Sequence, residues 1–556
     1  MRRILTTIAI LVFLGAMLAI AQDVIQGTPE AKAAFDKAEV ARKTGNLKAA
    51  VANYRQAIQL DPDYVDAHEK YIFTSQDVAT SNVSSAIYSG KASAEQRAQF
   101  KQERDRADVE LETEYRKWAE AHPDKPGYQW GLGYINDYKD PKAAIRYYQA
   151  ALKIDPKFAP ANQSLSLMDE VQGDLAGSRE ELHKAVEADP SNPRYLFDYA
   201  YSFRNVDLQE FNRLCLEVVN RFPTSAQTAQ AFYWLADAAP TDSEKLHYLE
   251  LLKDDHAPAA ADWKGGGIQM LFDIYERTDR AKALALAKER VKTEKEDRTY
   301  WKSLANYAQA MVDANKLIKD GKPGQALPRL DAVKLPKWYH TQQLVLMRAR
   351  ALSASGQKQK AYDILLDAYA TTPTDETHAD LVQYGQDLGK DVHQVDADVW
   401  GMQVKNSRPA VPFSLPSYTG ANKMSLADFR GHVVLLNFWY PLCGPCRGEF
   451  PYIQSVLDKY KDQGFDIVAV NVEPEEDDFV LPLLKGFKLG FIPLKGSDEW
   501  AADAYHVRGE PTNFLIGADG RIYFGPLSPV QSPEAQHSLE LQVLALLRAH
   551  ENSANQ

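Results

Sequence analysis

The sequence predicts a multidomain chain in which an all-α array of repeated helices is followed by an α/β domain. Three observations predict it. From about residue 28 to residue 400 the apolar residues recur at helical spacing, and the pattern repeats. After Trp400 the texture changes to β-branched runs, Val433 to Phe438, Phe465 to Val472 and Thr512 to Ile516, separated by helix-like stretches. Directly behind the first of these runs stands Cys443-Gly444-Pro445-Cys446, a cysteine pair spaced for reversible disulfide exchange. With 556 residues, 45% hydrophobic and 25% charged, the chain can bury more than one core without disulfide staples. Its formal net charge of -12 and its lack of a Lys/Arg cluster exclude nucleic acid as an expected partner.

The first element is a targeting segment. Arg2 and Arg3 form a positive start, Ile8 to Leu14 and Met17 to Ile20 supply an apolar stretch, and Ala19-Ile20-Ala21 is an A-x-A cleavage site. Residues 1–21 therefore read as a signal peptide, with the mature chain starting at Gln22. The competing reading is an uncleaved membrane anchor, since Ile4 to Ala21 approaches the shortest length that spans a bilayer. Either way the chain is expected in the periplasm or cell envelope, with no membrane span after signal removal. Disulfides persist there unless something reduces them.

The helical part, 28–400, carries a spaced signature. In the run from Gly45 to Pro62 a glycine, a small residue, an aromatic, another small residue and a proline fall at offsets 0, 5, 9, 12 and 17. The same offsets recur with Gly173, Ser178, Leu182, Ala185 and Pro190, and with Gly356, Ala361, Leu365, Ala368 and Pro373. A fourth copy has Ala144, Tyr148, Ala151 and Pro156, with Lys139 in the glycine position. This pattern resembles the second helix of a tetratricopeptide repeat, and Pro156 and Pro190 lie 34 apart, the period of that repeat. Small residues let paired helices approach, the large residue fills the gap between repeats, and proline ends the helix. Residues 64 to 122 and 240 to 320 read as helical but off pattern. Such a solenoid presents a groove to a protein or peptide, or serves as a spacer. Cys215 falls at the aromatic position of a degenerate copy ending at Pro223 and reads as a buried thiol. Lys264-Gly265-Gly266-Gly267 lacks the ending of a phosphate loop and reads as a flexible joint, and Glu473 to Asp478 as a solvated acidic loop.

The last part, 404–550, resembles the thioredoxin fold, specifically the TlpA/ResA-like exported thioredoxins. The matching residues are Pro412-Phe413-Ser414-Leu415, Ser425 to Gly431, Leu436-Asn437-Phe438-Trp439, Cys443-Gly444-Pro445-Cys446, Glu449-Phe450-Pro451 and Gly509 to Ile516. A helix beginning at the first cysteine favours its thiolate, so Cys443 is the expected nucleophile and Cys446 the resolving thiol. The resemblance implies that Pro511 is a cis-proline facing the cysteines. It also implies that Trp439, Leu442, Glu510 and Thr512 border the client. Thioredoxins proper carry a buried Asp in the strand before the motif; Asn437 stands there and cannot titrate. Glu449, one helical turn beyond Cys446, is the replacement base that the ResA-like branch implies. Two residues depart from the family: Leu442 replaces the usual Trp, and Glu510 precedes the cis-proline. A carboxylate at Glu510 either raises the nucleophile's pKa or points into water.

Other chemistries fit less well. A peroxiredoxin needs Thr or Ser at Tyr440, covalent haem needs His at Arg447, and His432 and His506 lack metal-ligand spacing. No metal or cofactor is expected. The residues and the resemblance together point to an exported thiol:disulfide oxidoreductase, a reductant of client-protein disulfides, with the array recruiting the client. By resemblance alone, the client class includes apocytochromes in cytochrome c maturation or copper-site cysteines, and the electron donor is a membrane thiol carrier. The alternative is a repeat-based binding scaffold whose redox domain is marginal or regulatory.

Overall fold

The computed structural model describes residues 27–554 apart from 89–92, 138, 255–260, 295–296, 337–338, 340 and 421. The targeting segment expected at 1–21 lies outside the described residues. Helices run from Pro29–Lys43 to Val392–Asn406, and strands begin at Arg408. No described helix is long and apolar enough to cross a membrane.

In the array, the predicted offsets do the packing they were read for. Tyr54, Tyr148 and Leu365 are fully buried, as are Ala50, Ala144, Ala361, Ala57, Ala151 and Ala185. Ala368 is only half-buried, so the last copy closes less tightly. Gly45, Gly173 and Gly356 each turn the chain between paired helices, at φ of +78°, +79° and +79°. Only glycine adopts that conformation without a steric penalty. Off-pattern stretches are longer helices, Ala94–Ala121 and Arg298–Lys319. Two local expectations are corrected. Lys264 to Gly267 is no joint but lies inside the helix Ala261–Thr278, where Gly267 lets Leu252 of the neighbouring helix come into contact. The acidic run is no solvated loop: Pro474–Glu476 forms a tight turn leading into the helix Asp477–Gly486, and Glu476 is buried.

The second part contains β1 (Arg408–Pro409), β2 (Ser414–Pro416), β3 (Lys423–Ser425), β4 (Val433–Trp439), β5 (Phe465–Asn471), β6 (Ile492–Lys495), β7 (Thr512–Ile516) and β8 (Arg521–Leu527). The six-stranded sheet has the order β1-β8-β7-β4-β5-β6, with β2 and β3 paired separately. Strands β4, β5 and β6 run parallel, while β7 lies antiparallel to β4 and β8 to β7. Every residue of β4 is buried, as its run, apolar but for Asn437, suits a central strand covered on both faces. Helix Gly444–Tyr460 covers one face together with Pro533–Ala554.

The two parts are packed together. Contacts reach the redox domain from far-separated points of the array: Arg97–Asp503 at 2.9 Å, Lys142–Asp478 at 2.6 Å, Glu170–Arg447 at 3.0 Å, Lys245–Glu534 at 2.7 Å and Asp375–His537 at 2.9 Å. Trp400 stacks on Tyr523 at 5.1 Å. Helices 94 to 400 can reach one domain from so many repeats only by curving around it. Met168 and Val171 of the array share one apolar cluster with Leu442, Cys443, Cys446 and Phe450.

Candidate functional site

The parallel strand β4 ends at Trp439, and the chain turns through Tyr440 to Leu442 into the helix Gly444–Tyr460. Cys443 is the N-cap of that helix, with Pro445 in its first turn, where a missing N–H costs nothing. The Cys443 Sγ accepts the backbone N–H of Cys446 at 3.1 Å. An N-cap acceptor in this position is held by the free N–H groups and the helix dipole, an arrangement that favours a thiolate when the pair is reduced. A disulfide joins Cys443 to Cys446. Cys443 is 2% exposed and Cys446 is fully buried.

Glu449, three residues beyond Cys446 on the same helix, is completely buried. Burial pushes its carboxyl up to about 7, against the pull of the Val530 N–H and the Asn513 and Asn437 amides. The three donors converge on its two oxygens: Asn437 Nδ2 at 2.8 Å from Oε1, Asn513 Nδ2 at 3.0 Å and the Val530 N–H at 3.1 Å from Oε2. Asn437 and Asn513 are direct cross-strand partners in β4 and β7, and their amides also bond each other at 2.8 Å. A buried carboxyl with a pKa near neutrality, gripped by donors, can take up and release a proton at working pH.

The peptide bond before Pro511 is cis. Thr512 opens β7 and its hydroxyl donates to the Gly509 carbonyl at 2.6 Å, which braces the turn carrying the proline. Glu510 is half-buried, and burial, with Asp498 and Glu473 nearby, pushes its carboxyl up to about 7. Leu442 is buried, and its N–H donates to Glu476 at 2.7 Å. Burial pushes Glu476 up to about 8. Trp439 is fully buried against Phe450, with ring centroids 5.2 Å apart, so it underlies the cysteines as core and presents no surface to a client.

Sequence reasoning assigned no role to Asn513, Glu476, Arg447 or Glu170. For Asn513 a signal existed: Asn437 and Asn513 are the amides within two otherwise apolar, buried strands, where a polar group must find a partner. The other three depend on contacts between distant segments. Cys215 is fully buried in the helix Leu208–Arg221, and burial pushes its thiol up to about 12, far from reactivity. Among the described residues no group of His, Cys, Asp and Glu could hold a metal ion.

A profile described as the AhpC/TSA family matches residues 407–524, and one described as a TPR repeat matches residues 39–70. The thiol-disulfide oxidoreductase ResA of Bacillus anthracis is 33% identical over 126 residues, which cover 23% of this chain and 70% of that protein. The chain belongs to the ResA-like thiol-disulfide oxidoreductase family. ResA of Bacillus subtilis (strain 168) is 38% identical over 104 residues, 19% of this chain and 58% of that protein. The chain thus spans little more than half the length of this second relative. A solution structure of a thiol:disulfide interchange protein from Bacteroides sp. is 25% identical, covering 25% of this chain and 90% of that one, with a TM-score of 0.22. The ResA-like part is the dithiol domain; the TPR match adds a helical array.

Proposed function

We propose that this protein is an exported thiol:disulfide oxidoreductase that reduces client disulfides through Cys443 and Cys446. The observation that supports it most is the grouping of a helix-capping Cys443, a buried partner Cys446 and a buried neutral-range carboxyl, Glu449, on one helix. In the reduced protein the Cys443 thiolate attacks one sulfur of the client disulfide. A mixed disulfide forms and the client's other sulfur leaves as a thiolate. The Cys446 thiol then passes its proton to Glu449 and attacks Cys443 Sγ. That closes the Cys443–Cys446 disulfide, frees the second client thiol and leaves the client reduced by two electrons. Pro511, with Glu510 and Thr512 beside it, borders the client backbone, and Leu442 borders the approach to Cys443. The domains are residues 28–400 for the array and 404–550 for the redox unit.

A reducing cycle needs a donor of electrons, for which a membrane thiol carrier is the fitting class. Apocytochromes or copper-site cysteines in the bacterial envelope are the client classes. Trapping tests the reading: Cys446→Ser should arrest the cycle at the mixed disulfide, and mass spectrometry of the adduct names the client. An absence of adduct, together with an absence of insulin reduction by the parent protein, would refute it.

A further inference from the structure

The array reaches the redox site through a charged contact as well as an apolar one. Arg447 follows Cys446 directly and is almost enclosed, its side chain 11% exposed. Its guanidinium makes two hydrogen bonds to different segments. Nη1 donates to the carbonyl of Pro441 at 2.8 Å, in the approach to Cys443, and Nε donates to Oε1 of Glu170 at 3.0 Å. Glu170 ends the array helix Ala159–Val171, and the next turn carries Gly173, whose Cα packs against Gly486 of the redox domain. The backbones meet there too closely for any side chain at either glycine. The helix end bearing Glu170 is therefore closely packed on the redox domain, and its carboxylate lies beside Arg447.

This geometry has an electrostatic consequence. A cation beside a cysteine stabilises its thiolate, and a carboxylate paired with that cation removes the benefit. The charged groups around the approach include Arg447 on the cysteine helix, Glu476, Glu473 and Glu475 from the acidic turn, Glu510 before Pro511 with Asp498 facing it, Glu170 from the array with Arg204 in its neighbourhood, and Lys101 and Arg104 of the array facing Glu473. Arg447 is the cation next to the dithiol in sequence, and Glu170 is the carboxylate bonded to it. Removing it uncovers the positive charge without touching the dithiol.

We infer that Glu170, in the repeat array, is a positioning residue of the dithiol: through Arg447 it holds the Pro441 approach and tempers the charge next to Cys443. The array then acts on the chemistry of the redox domain as well as on its neighbours. The inference rests on the oxidoreductase reading for its purpose, but its test does not require turnover.

The test follows alkylation of Cys443 against pH in the full-length chain carrying Cys446→Ser, where the buried Cys215 stays silent. Glu170→Gln should lower the apparent thiol pKa by about half a unit or more, which is about threefold faster alkylation on the acid side of the profile. Glu170→Asp should restore the parent profile. Asp375→Asn cuts another ion pair of the same interface, the one to His537 on the C-terminal helix, and should leave the profile in place. Superimposable Glu170→Gln and parent profiles would overturn the inference, as would an equal shift in Asp375→Asn. Insulin reduction by the parent chain reads the oxidoreductase proposal separately.

Discussion

Asn437→Ala should move the proton affinity of Glu449 upward and displace the pH profile of the resolving step with it. The Asn437 amide donates to Glu449 Oε1 at 2.8 Å, so truncation removes one donor from the carboxylate; it also takes away the Asn437 N–H that the buried Asn513 Oδ1 accepts at 2.8 Å. A hydrogen bond to a charged group contributes ~1.5–3 kcal/mol. At 1.36 kcal/mol for each pKa unit, its loss should lift Glu449 by about 1–2 units. Starting from about 7, the carboxyl would then be mostly protonated at neutral pH. The resolving step at pH 7 should slow ~5-fold or more and recover above pH 8, where the base is ionised again. Single-turnover release of a client thiol measures the step across pH, and carbon-13 NMR of labelled glutamate reads the carboxyl directly. A midpoint that stays in place, or moves to lower pH, would refute the assignment of Glu449 as the proton acceptor held by Asn437.

Other consequences can be checked alongside it. Glu476 is buried with its carboxyl raised from 4.5 to about 8, so the folded chain holds a proton that the unfolded chain releases. Its contribution is present below about 4.5 and declines as pH rises toward 8, by at most ~1.4 kcal/mol per pH unit. Glu476→Gln should flatten that decline in hydrogen-exchange protection of the redox domain between pH 5 and 8. Gly173→Ala places a methyl group against the Pro482 backbone at a φ of +79°. It should weaken the seating of the array by ~1–3 kcal/mol, seen as faster proteolysis between residues 400 and 412. Cys215→Ser puts a hydroxyl in an apolar cluster with Phe211 and Leu235 and should cost ~1–3 kcal/mol, while insulin reduction stays at the parent rate.

What could be read from the sequence alone divides by the range of the interaction. The turn glycines and the inward large residues of the array obey local rules, so Gly45, Gly173, Tyr54 and Leu365 were placed by spacing. The strands Val433–Trp439 and Thr512–Ile516 were legible because their apolar runs need no knowledge of neighbours. The structure departs from the local pattern where a distant segment decides. Three consecutive glycines at 265–267 suggest freedom in isolation, yet tertiary packing against Leu252 holds them in a helix. Six residues rich in Glu and Asp suggest water, yet Glu476 is drawn inward by the Leu442 N–H, and Glu475, Asp477 and Asp478 are matched by Lys101, Lys495 and Lys142. Trp439 could be recognised as part of a motif, but only the sheet shows that it faces the core.

These matches bear on what the array is for. A solenoid is expected to offer its surface to a separate ligand, but here its basic residues meet the acidic turn of the chain's own redox domain, and its apolar side continues into the cysteine cluster. An exposed ion pair such as Lys142–Asp478 contributes little by itself. The buried steps do the holding: Met168 and Val171 are wholly enclosed, and Gly173 and Gly486 touch backbone to backbone. Those steps lie at the array turn that also carries Glu170, immediately beside the dithiol. The same few residues that seat the array therefore set the surroundings of Arg447. A change in the array that shifts this turn must also reach the approach to Cys443.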